Sequence, residues 1–495
     1  MNRIIRAKTR TFDAKNRTSR AILVSMLVLL CFSLYLCPPK KHLGMKQDTI
    51  PPRNYNTCRL SNGLRIIHLI SASPVVYCGY QIAAGTRDEE PGDEGLAHFC
   101  EHVTFKGTAK RTSLQIVNSI EQVGGELNAF TNKEDTVFYA AVLKDHLARA
   151  VDVLTDIVFH STYPQQEINK EIAVICDEIE SYNDSPAELI YDDFENILFE
   201  GHPLGHNILG NAERLRQYTT ADALRFTSKH YRPDNSIFFV YGDVEFRKVV
   251  RMFRRLWDVE CGVYSRSEEC GVRSENQWSA PMGKANSTKI LDSSTKPLVL
   301  ESISHSTLHT THSSNIIIRH KSTHQAHVML GNRGYDIHDK RRIPLYLLNN
   351  ILGGPGMNAR LNLALRERNG LVYTVDSSMV SYGDTGMWCA YFGCDAQDVK
   401  RCLRLVRREL DKLMKTPISS AQLRKAKQQI KGQIGIACDN RESFALDFRK
   451  SFLHYGWEKD IRHLFADIDA VTAEQLQAVA QDIFDPTKIT TLIYQ

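Results

Sequence analysis

The chain repeats itself. "YTTADALRFTSKHYRPDNSIFFVYGD" (218–243) and "VTAEQLQAVAQDIFDPTKITTLIYQ" (471–495) share one plan: a threonine-capped helix, an aromatic residue near a proline, and a strand ending in tyrosine. Pro233 and Pro486 lie 253 positions apart, and so do Tyr241 and Tyr494. A constant offset predicts duplication of one domain, and 495 residues exceed what a single core organises. The predicted class is α+β: two homologous domains, each an antiparallel-rich sheet with helices packed on it. The first spans 45–262 and the second 314–495. Between them, 263–313 is rich in Ser and Thr and poor in apolar periodicity, the composition of a linker or variable loop.

Only the first copy carries a metal-binding pattern. Residues 98–102 read "HFCEH", so His98, Glu101 and His102 stand at i, i+3 and i+4 and share one helix face. Pro91, Gly92 and Asp93 mark the helix start, Glu94 falls in the first turn, and Lys106 with Gly107 provides the stop. Among eighteen histidines the motif alone does not decide against two solvated residues on a surface helix. Catalytic zinc takes three protein ligands, so a third donor is required.

"PQQEINKEIAVICDEIESYNDSP" (164–186) supplies candidates. On a helical wheel Ile168, Ile172, Val174, Ile175, Ile179 and Tyr182 form the apolar stripe, with Glu171 and Glu178 inside it and Asp177 and Glu180 on the solvated side. Two carboxylates in an apolar stripe need a cation. The alternative to a metal is a pair of acids bridged to neighbouring Lys or Arg.

"GLAHFCEHVTFKGT", with a glutamate at 178, 76 positions after His102, resembles the pitrilysin, insulinase and mitochondrial processing peptidase family of inverted-motif zinc peptidases. The likeness runs from about Asn54 to the C-terminus with one variable stretch, and matches the half-length, two-domain type. It implies that His98, His102 and Glu178 ligate one zinc ion per chain, that Glu101 is the general base for a zinc-activated water, and that Glu171 supports the site from just outside the ligands. In "GGELNAFTNKEDTVFYAAVL" it implies that Asn128, Ala129 and Phe130 form an edge strand pairing with extended substrate; read alone, the stretch is an ordinary hairpin. In "LRERNGLVYTV" it implies that Arg366 and Tyr373 reach the active site from the other domain and hold the developing oxyanion. The implied fold is half of a clamshell, the implied activity a zinc endopeptidase acting on peptides or unfolded segments, and the implied assembly a homodimer. The rivals are a non-catalytic partner subunit and a zinc hydrolase of a non-peptide amide.

The formal charge of +5 misleads: residues 1–44 hold nine Lys or Arg and one Asp, a net +8, which leaves −3 for the rest. Nucleic acid is therefore not an expected partner. The glycine-rich "ILGGPGMNARL" lacks the ending of a phosphate loop. His305, His309, His312, His320, His324 and His327 have no Cys or carboxylate at helical spacing, so no second metal is assigned. Twelve cysteines without tight spacing suit a reducing compartment. The run "AILVSMLVLLCFSLYLC" (21–37) behind a basic flank has the length of a short membrane anchor; the other reading is a soluble cytoplasmic enzyme starting at Met45.

Overall fold

The computed structural model describes residues 55–257, 261–266, 315–321, 323–440, 442, 445–446, 452–453 and 461–495. The basic leader with 21–37, His305, His309, His312 and most of 263–313 lie outside the described residues. Among those described, no helix is long and apolar enough to cross a membrane.

Among the described residues, twelve strands form two sheets. The first contains β1 (Tyr55–Leu60), β2 (Arg65–Ile70), β3 (Val75–Ile82), β4 (Glu126–Thr131), β5 (Thr136–Leu143), β6 (Ser236–Gly242) and β7 (Cys261–Arg266), in the order β4-β5-β3-β6-β2-β1-β7. The second contains β8 (Asn315–Arg319), β9 (Ala326–Gly334), β10 (Val372–Ser381), β11 (Gly386–Cys394) and β12 (Thr490–Tyr494), in the order β10-β11-β9-β12-β8. Without β1 and β7 the two orders are the same. In both, the last strand of the unit runs parallel to the first and antiparallel to the second: β6 with β2 and β3, β12 with β8 and β9. Tyr241 sits opposite Leu69 and Tyr77, and Tyr494 opposite Arg319 and His327. The 253-residue offset is thus a topological duplication, with sheets that are mixed but mostly antiparallel.

β6 reads "SIFFVYG", nearly all apolar, because both of its faces are covered. On one side the helices Leu147–His160 and Phe246–Trp257 close the main core of the first half. On the other, Ile67, Val137, Ile237 and Phe239 pack against Leu446, Phe452 and Leu453 from the C-terminal half. Arg65 ties this cover down by donating to the carbonyls of Phe452 and Leu453, each at 3.3 Å.

The second sheet borrows in return. The helix Pro186–Leu198 places Ile190 and Phe194 beside Phe199 and Leu204, against Met329, Tyr391, Leu492 and Tyr494. Tyr191 donates to Asp376 Oδ2 at 3.0 Å, Arg87 to Asp384 Oδ2 at 2.7 Å, and Tyr382 to Glu195. The boundary expected at 262 therefore needs correcting on two counts. β7 continues the first sheet to Arg266, and a helix of the first half by sequence belongs to the second sheet by packing. Periodicity reports which face of a helix is apolar, not which sheet will cover it. Among the described cysteines, Cys58 is disulfide-bonded and Cys78, Cys100, Cys176, Cys389, Cys394, Cys402 and Cys438 are free.

Candidate metal centre

"HFCEH" lies in the helix Leu96–Thr104, whose Leu96, Ala97, Phe99, Cys100 and Val103 are buried in the first core. The remaining face presents His98, Glu101 and His102. The helix begins later than the sequence suggests: Gly95 is the N-cap, and Glu94 stands before the first turn. The acid at that end is Glu89 instead, which accepts from the Gly95 and Ala97 amides at 3.0 and 2.7 Å and places negative charge where the helix dipole favours it. Gly95 is required there, with φ of +89° and Gly210 so close that a Cβ would lie 2.8 Å from its Cα.

The helix Gln165–Asn183 supplies the carboxylates. Glu178 Oε2 lies 3.3 Å from His102 Nε2 and 4.0 Å from His98 Nε2, and one ligand atom from each of the three residues falls within 4.8 Å of the others. Donors around tetrahedral zinc stand about 3.4 Å apart when the bonds are about 2.1 Å, so the set fits that ion. It is also the one metal-capable group among the described residues. His98 Nδ1 is buried without a hydrogen-bond partner, and Nε2 is the ring nitrogen turned towards Glu178.

Electrostatics agree with the donor set. Burial pushes the His98 imidazole down to about 3, which keeps it neutral, the ligating form. Burial also opposes charge on His102, but hydrogen bonds to Glu171 and Glu178 win and raise it to about 9. Its proton is then the cation that the two carboxylates hold, and a divalent ion binding at His102 displaces it. Glu171 Oε1 contacts His102 Nδ1 at 3.0 Å and Glu171 Oε2 pairs with Lys106 at 2.5 Å. Against the effect of burial, these partners lower the Glu171 carboxyl. Glu178 is lowered likewise, against the effect of burial, by its hydrogen bond to His102 and the charge of that ring. Glu171 thus holds the His102 ring by its Nδ1 from outside the group of three. Glu101, 8% exposed, is not drawn into the ligand group; burial raises it to about 7.

The wheel placed Glu178 in a buried stripe, and this is corrected: its side chain is 44% exposed, and Val174 is exposed as well. The apolar stripe is buried in the core along Ile168, Ile175 and Ile179, and Ile172 packs against it half-buried. Glu178 leans from its margin towards the histidines. Lys106, read from the sequence as a helix stop, is a partner of the site. Thr131, which donates to Glu101 Oε2 at 2.6 Å, escaped notice although it ends the quoted "NAFT".

β4 is the end strand of its sheet, so among the described residues its outer edge has no neighbouring strand. Leu127 and Ala129 pack on the core beneath, while Phe130 and Asn128 turn to the other face, where Asn128 contacts the Tyr139 hydroxyl at 3.4 Å. Tyr139 in turn donates to Glu442 Oε1 at 2.8 Å, which ties the strand to the C-terminal half. Arg366 and Tyr373 find each other, with the guanidinium 5.5 Å from the ring centroid. Tyr373 is 80% exposed, and neither residue has a hydrogen bond, ion pair or ring contact with His98, Glu101, His102 or Glu178.

Residues 67–212 match the insulinase family, peptidase family M16, and 293–430 match the M16 inactive domain. The chain belongs to peptidase family M16. An uncharacterized zinc protease of Bacillus subtilis is 31% identical over 443 residues, covering 88% of this chain and 97% of its own. One of Streptomyces coelicolor is 32% identical over 426 residues, covering 86% of each. A protease from Helicobacter pylori superposes with a TM-score of 0.74 at 20% identity over 90% of this chain and 99% of that one. The resemblance read from "GLAHFCEHVTFKGT" is borne out, and with it zinc as the M16 cofactor. Among the described residues, the half that matches the M16 inactive domain holds no metal-capable group.

Proposed function

We propose that this M16 protein is a zinc endopeptidase that hydrolyses peptides or unfolded segments. The observation that carries the reading is one juxtaposition: His98, His102 and Glu178 converge beside a buried Glu101 that stays outside the ligand group, next to a strand with an open edge. When bound, zinc supplies a Lewis acid that polarises the peptide carbonyl and brings the pKa of water to near 7. Glu101 takes the proton of the attacking water on its carboxylate and returns it to the leaving amine. β4 aligns the extended peptide by backbone pairing, with Asn128, Ala129 and Phe130 lining that edge. Arg366 and Tyr373 stabilise the oxyanion. The exposure of Tyr373, and the lack of contact between this pair and the zinc residues of its own chain, favour delivery across an interface with a second copy, and hence a homodimer.

Digestion of a library of unstructured peptides by the full chain, with zinc content measured in the same sample, tests this. Cleavage at internal bonds that disappears in Glu101→Gln is expected. Full zinc occupancy with no cleaved peptide overturns the reading in favour of a non-catalytic partner subunit.

A further inference from the structure

A buried carboxylate has two equivalent oxygens and a freely turning end, so a base of this kind needs something to choose between them. The Thr131 hydroxyl makes that choice, donating to Glu101 Oε2 at 2.6 Å, a short, charge-assisted bond between groups 9% and 8% exposed. Thr131 is the last residue of β4, and by the two-residue period of a strand it faces the histidine helix together with Ala129 and Leu127. Its backbone is held on both sides. Within the strand pair it stands opposite Thr136. Beyond it, Asn132 closes the turn on Asp135 through backbone and side chain at 2.8 and 2.6 Å, and Gln81 holds the other oxygen of Asp135 at 3.0 Å. The hydroxyl is therefore presented by a rigid hairpin.

We propose that Thr131 is a positioning residue for the hydrolytic reaction. It fixes Glu101 Oε2 so that Oε1 is the oxygen left to take the proton, and it makes the strand that aligns the peptide also set the place of the base. This rests on the reading of Glu101 as general base. The same hydrogen bond in a purely structural role would satisfy two buried polar groups and leave turnover alone, and the two cases differ in what substitution does.

The test uses the full zinc-loaded chain and the best-cleaved peptide of the library. Thr131→Val keeps the shape and removes the donor. Its kcat is expected to fall about 10- to 100-fold, the range for a hydrogen bond to a charged group, with KM within about 3-fold and zinc content unchanged. Thr131→Ser is expected to restore most of kcat. A Thr131→Val enzyme within about 3-fold of the parent in kcat, or one altered in KM alone, overturns the proposal. Should Thr131→Val lose zinc or fold poorly, Thr131→Ser and Thr131→Ala decide: turnover retained by Ser and lost by Ala supports it, and equal turnover in the two overturns it. Because the parent must cleave and carry zinc for any of these ratios to be read, failure of the peptidase reading registers separately, in the parent.

Discussion

At the residue scale the proposed function gives holding a metal and moving a proton to different side chains. Glu101→Gln leaves His98, His102 and Glu178 intact, so zinc stays near one per chain while turnover falls about a hundred-fold to ten-thousand-fold; elemental analysis beside peptide hydrolysis checks both halves, and metal loss would put Glu101 among the ligands. Asp177, Glu178 and Glu180 are all exposed on one helix, yet only Glu178 meets the histidines. Glu178→Gln should therefore leave the protein substoichiometric in zinc after dialysis, with Asp177→Asn and Glu180→Gln unchanged. Glu171→Gln should weaken zinc affinity about 10- to 100-fold by releasing His102 Nδ1, read by competition with a chelator. The ligand spacing was legible because i, i+3 and i+4 are local geometry. The exposure of Glu178 was not, because an apolar stripe does not say how far the core it faces extends. Lys106 and Thr131 were present in the quoted stretches, but their partners sit on other elements.

At the element scale, the hairpin of β4 and β5 could be read from alternation and a polar turn, whereas the fact that β4 ends its sheet depends on the order of seven strands and has no local signal. That edge makes a prediction about substrates. N-methylation of a good peptide at successive backbone amides should raise KM with a two-residue period, by up to about 10-fold at each amide that faces β4, since one lost hydrogen bond is worth about 0.5 to 1.5 kcal/mol. A flat profile along the peptide would mean that side-chain pockets, not strand addition, hold the substrate. The duplication was legible at this scale for a physical reason: the helix, proline and closing strand of each unit need the same capping and turn chemistry wherever they recur, while ligands that only one copy uses are free to be lost from the other.

At the scale of the whole molecule, half-buried acids stand near the junction of the two halves, where Tyr191 donates to Asp376. Burial lifts the Asp376 carboxyl from 3.8 to about 6 despite the Tyr191 hydroxyl at 3.0 Å, and lifts Asp192 to about 6 as well. A carboxyl whose folded pKa exceeds its unfolded value holds its proton more tightly in the fold. Its contribution is thus fully favourable below about pH 3.8 and is lost as pH rises through about 6. Asp376→Asn should accordingly gain stability over the parent by about 1 to 3 kcal/mol near pH 7.5, with the difference shrinking towards pH 4. Denaturant melts across that range check it, and a difference independent of pH would mean the carboxyl titrates normally. Phe194→Ala, in the helix that covers the second sheet, should cost about 3 to 5 kcal/mol and lower one shared thermal transition, zinc release included; two separated transitions would show the halves melting independently.

The exchange of covers between the halves bears on whether such a chain can be divided. Leu446, Phe452 and Leu453 shield the first sheet from the far side of the sequence, and Ile190 and Phe194 shield the second. Each unit supplies one protective layer to the other, so a chain severed at the repeat boundary would yield two polypeptides that each expose a sticky apolar plane.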